Sequence, residues 1–164
     1  MFLTKSIPVR TAHELASMRR AGRVVAEMHE RIREAIRPGV STGDLDRIGR
    51  DVLDRRGARS NFLGYHGYPA VICASPNDMV VHGIPSDAIV LEDGDIVSVD
   101  CGAIVDGWHG DAAFTAPVGT VAPRALALIE YYEKQSLLVE VDGIGATEEV
   151  SARLVAVIDE RIRG

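Results

Sequence analysis

Apolar residues recur at helical spacing through the first third of the chain: Leu15, Met18, Ala21 or Gly22, Val25, Met28 or His29, Ile32 and Ile36. Thr11, with Glu14 three residues later, fits a capping box at the start of this run. Pro38-Gly39 marks its end. The pattern predicts an amphipathic helix laid on a core. Arg19, Arg20, Arg23, Arg31 and Arg33 are interleaved with Glu27, Glu30 and Glu34, the pattern of a solvated face rather than a nucleic-acid surface. A second helix is expected from Ser41 or Thr42, with Leu45, Ile48, Val52 and Leu53 as its stripe and Gly57 as its C-terminal cap.

The period then changes. Residues 61–69 form a Gly-containing loop that carries three aromatics, Phe62, Tyr65 and Tyr68. It reads either as a packed turn or as the wall of a pocket, since functional residues gather on loops. Residues 70–74 read as a short strand and 75–78 as a turn. Residues 79–82 are largely apolar and are broken by Gly83-Ile84-Pro85. From 96 onward, β-branched residues predict a strand to Val105, a two-residue turn at Asp106-Gly107 and a return strand from Trp108.

That turn fixes a register. With Asp106 and Gly107 central, Val105 pairs with Trp108, Gly102 with Asp111 and Asp100 with Ala113. Asp100 and Asp111 then share one face as diagonal neighbours. A loop one residue longer or shorter would separate them. Acids are poor strand formers, and two side by side repel unless a cation or a proton intervenes. Solvated strand acids are the plainer reading. Against it stand the small neighbours Cys101, Gly102, Gly110, Ala112 and Ala113, which leave room beside the carboxylates. Hard divalent cations prefer such oxygen ligands. His82 has a side chain suited to proton transfer or hydrogen bonding near neutrality. His109, beside the second acid, is expected on the opposite face.

Composition changes this picture little. A chain of 164 residues, 46% hydrophobic and 26% charged, is enough for one domain with a core. A net charge of −6 gives no general attraction to nucleic acid or to anionic membrane. No apolar run is long enough to span a bilayer, and the first residues show no signal core. Two cysteines, Cys73 and Cys101, make no disulfide framework, so a cytoplasmic location is expected.

Two segments, GYHGYPAVICASPNDMVVHGIP at 64–85 and LEDGDIVSVDCGAIVDGWHGDAAFTAPVG at 91–119, resemble the type I methionine aminopeptidases, metallopeptidases of the pita-bread fold. The likeness runs from about residue 7 to 129. It implies an α+β fold: half of a pita-bread, with antiparallel hairpins packed on two helices. It implies Asp100 and Asp111 as metal ligands, the second bridging two ions. It implies His82 as a catalytic residue that contacts substrate, with Tyr65, Tyr68, Cys73 and Phe62 around the methionine side chain. The cofactors implied are two divalent ions (Co, Mn, Fe or Zn), and the substrate is the N-terminal Met of nascent polypeptides. That family takes one His and two Glu ligands from a second half. Nothing after residue 129 matches it, and no His follows His109.

Residues 131–162 instead resemble the C-terminal end of adenylate kinase: the tail of a helix, a strand at 137–141, a turn at Gly143 and Gly145, and a helix capped by Thr147. No phosphate loop accompanies them. The expected organisation is therefore residues 1–129 as an incomplete aminopeptidase-like domain, followed by a short helix–strand–helix tail over 130–164. An uncovered sheet edge in such a half invites a homodimer. The function expected is initiator-methionine removal, with low activity for this chain alone. The competing reading is a non-catalytic relic or interaction module.

Overall fold

The computed structural model describes residues 9–123. The expected tail at 130–164 lies outside them. All elements below belong to the first of the chain's two units, Met1–Val121.

Helix α1 spans Ala12–Ala35 and starts from the expected box: Glu14 N–H donates to Thr11 Oγ1, and Thr11 N–H donates to the Glu14 carboxylate. Helix α2, Thr42–Arg56, has a second such box between Ser41 and Asp44, and ends on Gly57 at φ 60°. Four strands follow: β1 (Arg59–Ser60), β2 (Ile72–Pro76), β3 (Ile96–Val105) and β4 (Trp108–Pro117). All pair antiparallel to β3, with β4 along one side and β2 and β1 sharing the other. The turn between β3 and β4 has φ of 50° at Asp106 and 80° at Gly107, as a two-residue hairpin loop of this hand requires.

One face of the sheet packs on the helices. Val97, Val99, Cys101 and Ala103 of β3, Ile72 and Ala74 of β2, and Phe114 of β4 meet Val25, Met28 and Ile32 of α1 and Leu45 and Val52 of α2. The helical stripe differs from expectation in its first turns. Leu15 and Met18 are exposed and Ser17 faces inward instead, beside Ala21 as expected. The cause is a close crossing: a Cβ on Gly110 would lie 2.7 Å from backbone atoms of Ala21 and Gly22. Large side chains at that point would hold the helix off the sheet, so the small residues face it.

The strand expected at 70–74 begins two residues later and runs through Ser75 and Pro76. The turn starts at Asn77, whose φ is 52°. Asp46 of α2 sets this offset. Its buried carboxylate accepts from Val71 N–H at 2.7 Å and Ile72 N–H at 3.3 Å, and Arg50 closes the pair at 2.6 Å. Those N–H groups are thereby satisfied by a side chain rather than by a ladder. Asp46→Ala is expected to destabilise the fold by about 3 kcal/mol, because it strands two buried donors and frees Arg50. Urea unfolding checks this; a loss within the range of an ordinary surface change, ~0.5 kcal/mol, contradicts the role.

Candidate active site

The face of the sheet away from the helices carries Ser98, Asp100, Gly102 and Ile104 on β3 and His109, Asp111, Ala113 and Thr115 on β4. The pairs Val105–Trp108, Gly102–Asp111 and Asp100–Ala113 follow the register expected from the turn. Asp100 and Asp111 are therefore diagonal neighbours on one face, about 7–8 Å apart at most in such a pairing. His109 is a correction. It lies two residues from Asp111, and side chains alternate along a strand, so it shares the acid face rather than opposing it.

Asp100 belongs to a second feature as well. A pocket of about 370 Å³ is lined by Phe62, Tyr65, Tyr68, Cys73, His82, Ile84 and Asp100. Cys73 enters from β2 because it pairs directly with Asp100 and so shares its face. Tyr68 is anchored through its hydroxyl, 2.9 Å from the Ile72 carbonyl and 3.0 Å from that of Gly83. His82 is brought over by a loop folded back along the free edge of β2. Ala74 N–H donates to Gly83 O at 2.9 Å, and Gly83 N–H donates to Ser75 Oγ at 3.0 Å. Gly83 is required at this point, since a Cβ would collide with the Ala74 carbonyl. His82 itself sits at φ 58°, a left-handed conformation that costs a non-glycine residue roughly 1–2 kcal/mol. Such strain gathers where a fold must aim a side chain.

The electrostatics are those of two neighbouring carboxylates without a salt-bridge partner among the described residues. Burial first, and then the charge of Asp111, holds the Asp100 carboxyl above its ordinary pKa. Among the described residues, no Lys or Arg pairs with either acid. Burial also pushes the Cys73 thiol up, so it lines the pocket as a neutral group rather than as a thiolate. The Tyr68 hydroxyl is raised for the same principal reason. Behind the sheet, His29 of α1 lies 2.9 Å from the Ala112 carbonyl and edge-on to Phe114, with its pKa lowered chiefly by burial.

A hard divalent cation fits the acid pair in kind, since it would relieve the repulsion that raises Asp100. The fit is short in number: among the described residues no group of three His, Cys, Asp or Glu side chains converges to hold a metal. Two participants escaped the sequence reading. Ile84 lines the pocket, and Asn61 donates to Asp111 Oδ2 at 3.3 Å and to Gly110 O at 3.2 Å. The available signal for Asn61 was Gly102, a side-chain-free position directly opposite Asp111.

A strand-paired carboxylate dyad thus lies beside an apolar, His-bearing pocket. The chain belongs to metallopeptidase family M24, whose model matches residues 16–139. It is similar to methionine aminopeptidase 1 of Mycobacterium tuberculosis, with 56% identity over 124 residues, covering 76% of this chain and 47% of that one. Methionine aminopeptidase 1 of Bacillus subtilis is 46% identical over 125 residues, covering 76% and 50%. The crystal structure of methionine aminopeptidase from Rickettsia prowazekii superposes with a TM-score of 0.73 at 36% identity, covering 78% of this chain and 51% of that one. The chain thus spans about half the length of the relatives it matches. Its described elements are the expected α+β half of a pita-bread fold. No described helix is long and apolar enough to cross a membrane.

Because the Asp100 carboxyl is raised in the folded state, its contribution to stability is full below the ordinary carboxylate range and is lost as pH rises through the raised value. Without added metal, Asp100→Asn is expected to raise the melting temperature at pH 7 and to lose that gain in acid. Asp111→Asn is expected to lower the Asp100 titration midpoint measured by carbon-13 NMR. An unmoved midpoint contradicts the coupling.

Proposed function

We propose that this chain carries the N-terminal half of a methionine aminopeptidase site. Asp100 and Asp111 hold a divalent cation, and the adjoining pocket receives the methionine side chain of a polypeptide N-terminus. The observation that carries the reading is the double membership of Asp100, which faces Asp111 on the sheet and lines the pocket with Phe62, Tyr65, Tyr68, Cys73 and His82. A methionine thioether suits a wall of aromatic rings, a neutral thiol and Ile84. His82, held in place by its strained loop, is the pocket's candidate hydrogen-bonding group toward the substrate backbone. A divalent ion, Co, Mn, Fe or Zn, supplies Lewis-acid polarisation of the first peptide carbonyl when bound. The residues themselves bind and orient: the pocket fixes the side chain, and the acids fix where the cation lies relative to it.

Catalysis is a different matter from binding. The described residues offer two ligands of the acid type, where a catalytic metal site takes at least three protein ligands and keeps one position open. The chain alone is therefore expected to bind a methionyl peptide and to turn it over slowly or not at all. A second reading, a non-catalytic module that keeps the half-fold, draws on the same shortage of ligands.

A Met-Ala peptide, the purified chain and Mn or Co provide the test. The expected result is metal-strengthened peptide binding that Asp111→Asn abolishes, with methionine release near background. Strong release lost in the Asp111→Asn control would show that the remaining ligands arrive by another route, such as a second copy of the chain. Peptide binding indifferent to metal would overturn the half-site reading in favour of the non-catalytic one.

A further inference from the structure

We propose that Asn61 is a positioning residue for the cation site, reaching across the sheet to hold Asp111 in place relative to Asp100. The proposal rests on the metal-site reading above and names a residue on which that site depends.

The geometry begins with register. Ser60, the last residue of β1, pairs with Ala103 of β3. Asn61 therefore stands opposite Gly102, and its N–H points to the Gly102 carbonyl at 3.5 Å. Gly102 in turn pairs with Asp111 of β4. Asn61, Gly102 and Asp111 form one row across three strands, all on the acid face. The next row is Cys73, Asp100 and Ala113.

The middle member of the first row has no side chain, and this is what lets the outer two meet. A Cβ on Gly102 would lie 2.7 Å from both Cβ and Nδ2 of Asn61. The Asn61 carboxamide occupies that gap and extends over β3 to β4. There Nδ2 donates to the Gly110 carbonyl at 3.2 Å and to Asp111 Oδ2 at 3.3 Å. Its other atom, Oδ1, is buried with no hydrogen-bond partner among the described residues. An unpaired buried carbonyl is costly.

The chemistry of the donor matters. A neutral amide N–H restrains a carboxylate without cancelling its charge, so the acid remains free to attract a cation. An Arg or Lys in the same place would compete with the metal. Partners that orient ligand carboxylates in this way commonly govern affinity.

The test is Mn2+ affinity, read from the electron paramagnetic resonance of free Mn2+, for the wild type, Asn61→Ala, Gly102→Ala and the double variant. Cross-strand NOEs along β3 and β4 report whether the hairpin is intact. The expected result is affinity about tenfold weaker in Asn61→Ala with the hairpin intact. Gly102→Ala should produce a similar loss, because its methyl displaces the amide while leaving both acids untouched. The double variant should lose no more than either single one. Mn2+ binding unchanged in Asn61→Ala, or losses that add in the double variant, overturns the proposal. A wild-type chain that binds no Mn2+ removes the metal-site reading and the role of Asn61 together, and is readily told apart from a site that binds and ignores Asn61.

Discussion

The left-handed pair Asp106-Gly107 sets the register of β3 against β4, and through it which residues share each face of the sheet. Side chains alternate along a strand, so a slip of one position would carry every β3 or β4 residue to the other side. Val99, Cys101 and Ala103 would turn outward, and Asp100 would be driven into the helices. The core and the site are thus two outcomes of one constraint. Burial of the apolar face stabilises the register, and the register places the acids on the open face as neighbours.

Glycine then determines what approaches that sheet. Gly110 on the core face lets α1 cross at backbone contact, which explains why small residues rather than Leu15 and Met18 face inward there. Gly102 on the acid face leaves the space in which Asn61 reaches Asp111. Gly83 lets the His82 loop lie against the edge of β2. Each is a position where a missing side chain brings two elements closer than any other residue permits. Together with the Asp46 carboxylate under the start of β2, these contacts convert a short four-stranded sheet into a defined pocket beside an acid pair.

The helices, both caps, the hairpin and its register were legible in the sequence because each depends on local rules: a capping box, a 3.6-residue stripe, a two-residue turn. The diagonal acids were legible for the same reason. What escaped depends on approach between distant segments. The exposure of Leu15 and Met18 beside an inward Ser17 follows from the close crossing at Gly110, far away along the chain. The start of β2 follows from Asp46. Asn61 sits after a two-residue strand whose pairing with β3 no local pattern announces. The misplaced His109 was of another kind, since alternation alone puts it on the face of Asp111. The resemblance to aminopeptidases named the pocket residues, and the fold brings those five side chains around one cavity with Asp100.

The central claim is that the open face of β3 and β4 attracts a divalent cation through Asp100 and Asp111. It is tested most directly by titrating Mn2+ into the nitrogen-15-labelled chain and following paramagnetic broadening of its amide signals. The account predicts selective loss at Asp100, Gly102, Asp111 and Ala113, with Cys73 next and the helices last. Broadening centred on other surface carboxylates such as Asp93 and Asp95, or none at these four in a folded chain, would contradict it.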